Sequence, residues 1–126
     1  MSSSCSANLV NFYGIRGRSY SISSACATSL HNVGHGFELI SNGICDLILA
    51  GGAEEVSTIM ASMFDGMRNV LSRGFNDRPQ EASRPYDKAR DGFVISGGAG
   101  IVVLENLEAA IKRSAPIYGE IIGYGA

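Results

Sequence analysis

Tyr20-Ser21-Ile22-Ser23-Ser24-Ala25-Cys26-Ala27-Thr28-Ser29 is the stretch on which the reading of the chain turns. Its opening residues, Tyr20 to Ser23, alternate polar and large side chains, the period of a short strand. From Cys26 the period lengthens. Leu30, Val33, Phe37 and Ile40 fall three or four apart on one helical face, and Gly43 supplies a stop. The segment thus predicts a strand passing into a helix, with Cys26 at the junction. The first backbone N–H groups of a helix lack intrahelical partners, and the aligned peptide dipoles add partial positive charge there. Both effects favour a thiolate over a thiol and make a better nucleophile at neutral pH. Ala25, Ala27 and Ser29 are small, so a carbonyl has room to approach and nearby N–H groups can face a developing oxyanion. The plainer alternative is a packed cysteine among small apolar residues. That reading suffices for Cys5 and Cys45.

Toward the N-terminus the signals are weak. Asn8 to Tyr13 reads as a helical turn, interrupted by Gly14 and Gly17. Toward the C-terminus, Asp46 to Ala50 is a short apolar run ending in Gly51-Gly52, consistent with a buried strand. Ile59, Met60, Met63, Phe64 and Met67 suit a second helix. Residues 68 to 91 keep no period, and a long irregular stretch in a compact domain is usually functional or a docking site. Phe93 to Ile95 and Ile101 to Leu104 are strand-like. Asn106 is placed to cap a helix running through Lys112, which Pro116 follows, and Ile117 to Tyr124 reads as a last strand. This alternation predicts an α/β architecture with a mixed or parallel sheet.

At 126 residues the chain is at most one domain. Its net charge of −2 gives no support to a nucleic-acid binder or a polybasic membrane patch. No apolar run approaches the roughly 20 residues that span a bilayer. Met1-Ser2-Ser3-Ser4-Cys5 lacks the basic start and apolar core of a signal peptide, and three scattered cysteines make no disulfide framework, so a reducing cytoplasm is expected. The polar opening and the ending on Gly123-Tyr124-Gly125-Ala126 read as a piece cut from a longer protein.

Several motifs carry less than they first offer. His31 and His35 stand four apart, but Glu38 is the only further helical ligand, which is thin for a metal. On a helix they are turned about 140° and about 180° from Cys26, so neither is placed as its base. Gly97-Gly98-Ala99-Gly100 lacks dinucleotide-binding spacing. Glycines there, and at Gly51-Gly52, mark a bulge or a close backbone approach. The Met60, Met63, Phe64 and Met67 stripe is ordinary core or the adaptable wall of an alkyl pocket. Arg84, Asp87, Lys88, Arg90 and Asp91 alternate in sign, as in a solvated salt-bridged turn.

Taken together, four ordered segments resemble the β-ketoacyl-acyl carrier protein synthases, closest to the type I bacterial kind. They are Tyr20 to Ser29, Ala50 to Glu55, Ala82 to Asp87 with Arg90 to Val94, and Ile117 to Ala126. The resemblance implies a thiolase-like fold, here incomplete: part of the N-terminal half and the start of the C-terminal half of a layered αβαβα arrangement. It implies an acyltransferase of fatty-acid elongation, homodimeric, working with acyl carrier protein and needing neither metal nor organic cofactor. Cys26 matches the nucleophile that carries the acyl thioester, with its N–H in the oxyanion hole. Met60 and Phe64 match the acyl tunnel, Phe93 a phenylalanine beside the reacting centre, and Tyr20 to Ser23 part of the subunit interface. The family's two catalytic histidines and its assisting lysine lie in later segments that this sequence lacks, and neither His31 nor His35 matches them. The isolated chain is therefore expected to be inactive in condensation. The contrasting expectation is a non-catalytic dimerisation or carrier-binding piece, with Arg68, Arg73 and Arg78 facing an acidic carrier.

Overall fold

The computed structural model describes residues 3–126. In chain order the regular elements are α1 (Ser4–Tyr13), α2 (Thr28–Ser41), β1 (Leu47–Glu54), α3 (Thr58–Gly66), β2 (Gly98–Glu105) and α4 (Leu107–Lys112), with short 3-10 turns at Ala25–Ala27 and Pro79–Glu81. The chain divides into two compact units. One runs to Ala53 and resumes over Ala99–Ala126, and the other is Glu54–Gly98.

In the first unit β1 and β2 pair in a two-stranded sheet. The Asn106 N–H donates to Asp46 O at 2.9 Å, while Gly51 lies against Gly100 and Ile101. Ascending numbers on one strand meet descending numbers on the other, so this pair is antiparallel rather than parallel. A Cβ on Gly51 would overlap the Gly100 carbonyl oxygen, which accounts for a glycine where the two backbones close on each other. The glycine run expected to sit between strands is instead the opening of β2.

Helix α2 meets the sheet through glycine. Its buried residues are Gly34 and Gly36. A Cβ on Gly36 would stand 2.9 Å from Leu104 Cδ1, 3.5 Å from Ile48 Cγ2 and 3.6 Å from Ala50 Cβ. The sheet thus reaches the helix backbone directly. The Leu30 face predicted from periodicity is not the deepest one, since Leu30 is exposed. Ala50 and Ala110 are the other buried apolar residues of this unit. Helix α4 begins as expected: Asn106 Oδ1 accepts from the N–H groups of Glu108 at 3.0 Å and Ala109 at 3.3 Å.

The second unit centres on Phe75 and Ala82, its buried apolar residues. The guanidinium carbons of Arg78 and Arg84 stand 5.1 and 5.0 Å from the Phe75 ring centre, two cation–π contacts on one ring. Helix α3 is capped by Ser57, whose hydroxyl oxygen accepts from the Met60 N–H at 3.2 Å.

Three expected strands do not form. Tyr20 to Ser23 and Ile117 to Tyr124 are irregular, and Phe93 to Ile95 reduces to one parallel bridge between Leu71 and Phe93. A strand exists through its ladder, and among the described residues no neighbouring strand supplies one to these segments. Tyr118 and Ile122 are almost fully exposed. Side chains take over part of the work, because the Ile22 N–H donates to Asn32 Oδ1 at 3.4 Å. Helix α1 is in turn longer than its predicted turn, ending where Gly14 adopts φ +62°.

Candidate active site

Cys26 is the middle residue of the 3-10 turn that leads directly into α2, and it is exposed. The turn's own hydrogen bonds come from the Ala27 N–H to Ser24 O at 3.0 Å and from the Thr28 N–H to Ala25 O. The N–H groups of Ala25 and Cys26 lie ahead of these bonds, at the open end of the turn. Ala25 has φ +45°, a left-handed conformation that costs a residue with a Cβ about 1–2 kcal/mol. Ser24 beside it has φ −145° and ψ 44°.

Neighbouring side chains support the turn. The Ser24 N–H donates to Thr28 Oγ1 at 2.8 Å, and the Thr28 hydroxyl donates to Ala25 O at 2.7 Å. Asn32 ties the approaching segment to the sheet, for its Nδ2 donates to Gly51 O at 2.9 Å while its Oδ1 holds Ile22. A Cβ on Gly52 would stand 2.9 Å from Ser29 Cβ, so the head of α2 rests closely on β1. His31 and His35 turn to tyrosines. His31 Nδ1 shares a hydrogen bond with the Tyr124 hydroxyl at 2.6 Å, and His35 Nε2 shares one with the Tyr20 hydroxyl at 2.8 Å.

Met60, Phe64 and Phe93 belong to the second unit. Met60 and Phe64 stand one turn apart on α3 and are partly buried. Phe64 meets Phe93 edge to face. Phe93 is held by its backbone: its N–H donates to Val70 O at 2.7 Å, and its carbonyl accepts from the Ser72 N–H at 2.9 Å. Two residues before it, Asp91 organises the irregular stretch. One carboxylate oxygen accepts from the Ser72 hydroxyl at 2.6 Å, and the other from the N–H groups of Arg73 at 2.9 Å and Gly74 at 2.7 Å. These bonds, the Ser72 hydroxyl first, lower the Asp91 carboxyl to about 2. Asp87 is likewise lowered, chiefly by the Ala89 N–H and then by Arg84. Arg73 pairs with Asp65, and Arg78 lies 3.6 Å from Glu81.

Thr28, Asn32 and Asp91 are the supporting residues that spacing alone did not single out as such. Thr28 does not cap α2, whose N-cap position is Ala27, and its hydroxyl bonds back to the two residues before Cys26, so no capping pattern marks it. Asn32 and Asp91 act across long sequence separations, so no local pattern marks them.

A family description, "Beta-ketoacyl synthase, N-terminal domain", matches residues 1–110. The 3-oxoacyl-[acyl-carrier-protein] synthase 1 of Buchnera aphidicola subsp. Acyrthosiphon pisum is 59% identical over 124 residues, covering 98% of this chain and 30% of that protein. The enzyme of the same name from Haemophilus influenzae is 56% identical over 126 residues, covering 100% of this chain and 31% of its own. The chain therefore spans less than a third of the length of these relatives. Among solved structures, a type II PKS acyl-carrier protein in complex with its ketosynthase bound to the hexaketide gives a TM-score of 0.85 at 35% identity, over 92% of this chain and 28% of that one. The partial α/β architecture is that of the thiolase-like ketosynthases. With a family match running from the start of the chain into α4, the chain belongs to the β-ketoacyl synthase family, through its N-terminal domain.

Proposed function

We propose that the protein containing this chain is a 3-oxoacyl-[acyl-carrier-protein] synthase of fatty-acid elongation, with Cys26 as its nucleophile. The Cys26 thiolate attacks the carbonyl of an acyl thioester on acyl carrier protein. A new carbon–sulfur bond forms at Cys26, and the carrier's phosphopantetheine sulfur leaves and is protonated. Malonyl-acyl carrier protein then loses carbon dioxide. The electron pair of the broken carbon–carbon bond attacks the acyl-Cys26 carbonyl, and Cys26 leaves as a thiolate. Dividing the work through a covalent intermediate lowers each barrier. Amides at the open end of the Cys26 turn are suited to the oxyanion of both steps. Met60, Phe64 and Phe93 line the acyl chain's path, and the intact protein is a cytoplasmic homodimer without metal or organic cofactor. The isolated chain, a single partial thiolase-like domain, does not condense, because the histidines of the second step lie outside it.

The observation that carries this reading is the exposed Cys26 at the head of α2, in a chain more than half identical to named synthases over its length. The test is mass spectrometry of the full-length protein after incubation with acyl-acyl carrier protein. The acyl mass is expected on the Cys26 peptide and to be absent after Cys26→Ala. Condensation retained by Cys26→Ala in a carbon–carbon bond assay overturns the proposal. Carrier binding that survives the substitution, with no acyl transfer before it, favours a non-catalytic docking role.

A further inference from the structure

We infer that Thr28 is a positioning residue for the Cys26 nucleophile, its hydroxyl holding the turn that aims the sulfur and the Cys26 N–H. The inference rests on the assignment of Cys26 as nucleophile. A hydroxyl at a helix start commonly bonds back to one carbonyl three or four residues earlier, with no special consequence. Thr28 does more. Its Oγ1 accepts from the Ser24 N–H at 2.8 Å and donates to Ala25 O at 2.7 Å, so a single atom joins the two residues that precede Cys26. The residue between those bonds, Ala25, is the one held at φ +45°. An alanine left to itself relaxes to negative φ. That relaxation rotates the Ala25–Cys26 peptide, which carries the Cys26 N–H, and swings the sulfur with it. Ala25 O sits on that same peptide, so its bond from the Thr28 N–H loosens with the turn, while α2 from Thr28 onward keeps its own backbone bonds.

The test compares wild type, Thr28→Ser, Thr28→Val and Thr28→Ala in the full-length protein. Alkylation by iodoacetamide is followed at each cysteine by mass spectrometry across a range of pH, with circular dichroism as the check on folding. In wild type Cys26 is expected to react faster than Cys5 and Cys45. Thr28→Val is expected to slow Cys26 about three- to ten-fold and to displace its pH profile, leaving those of Cys5 and Cys45 in place. Thr28→Ser, which keeps the hydroxyl and loses the methyl, is expected to restore the wild-type profile. A wild-type Cys26 no faster than the other two defeats the nucleophile assignment. A fast Cys26 that is unchanged in folded Thr28→Val defeats the role of Thr28, as does a slow Thr28→Ser. Should Thr28→Val not fold, the Thr28→Ala and Thr28→Ser pair decides in the same way. If neither hydroxyl-free variant folds, the hydroxyl serves the fold at large and the inference is wrong.

Discussion

The rings of Phe64 and Phe93 meet edge to face, with centroids 6.2 Å apart and planes at 90°. This contact joins α3 to the irregular stretch that carries Phe93 and sets one wall of the proposed acyl path. Edge-to-face pairs add about 0.5–1.5 kcal/mol to the burial of the rings themselves. Phe64→Ala is therefore expected to cost about 1–3 kcal/mol in chemical denaturation, below a fully buried phenylalanine because Phe64 is only partly covered. In the full-length protein the enlarged path should shift the product distribution toward longer chains. An unchanged distribution would remove Phe64 from the path.

Gly34 lies under the Tyr124 ring, where an added Cβ would overlap Cε2, Cδ2 and Cζ. Gly34→Ala should raise the helix propensity of α2 by about 1 kcal/mol, yet displace the ring and break the His31–Tyr124 bond. The net expectation is destabilisation of about 1–2 kcal/mol. Faster amide exchange over residues 121–126 is the accompanying sign. A variant as stable as wild type would show that the terminal segment moves aside freely.

Asn106 provides the side-chain cap of α4, and its oxygen serves two N–H groups. Asn106→Ala is expected to lose about 1 kcal/mol, while Asn106→Asp keeps the acceptor and most of the stability. Thermal unfolding of the three proteins checks the order.

Asp91 makes the second unit sensitive to acid. Its folded carboxyl titrates at about 2, below the ordinary value of 3.8. Depression in the folded state means that its contribution is fully present above about pH 4 and is lost as pH falls toward 2. Amide exchange at Arg73 and Gly74 should accelerate, relative to the rest of the chain, through that window. In Asp91→Asn these amides should be less protected even at neutral pH, and the acid-dependent change should disappear. Equal protection in the variant would mean that the carboxylate does not hold the loop.

How much of this could be read along the chain varies by element. Helices α2, α3 and α4 are legible because their signals are local: a repeat of three or four, an asparagine cap, a glycine stop. The segments Tyr20 to Ser23 and Ile117 to Tyr124 carried strand-like patterns and formed no strand. Alternation states which side chains point alike, and it does not supply a neighbour to pair with. The burial of α2 departs from its apolar periodicity for a related reason. Periodicity counts apolar side chains, whereas this helix packs where side chains are missing, with Gly36 against its sheet and Gly34 under the Tyr124 ring.

The order of residues settled the family and singled out Cys26, since four motifs in sequence and a shift of period at one cysteine need no coordinates. Folding decided what surrounds that cysteine. The left-handed Ala25, the hydroxyl of Thr28 joining Ser24 to Ala25, and Asn32 reaching from α2 to Gly51 are hydrogen-bonded relations in space. A hydrogen bond depends on distance and angle between groups, and those are properties of the closed chain and not of its spelling.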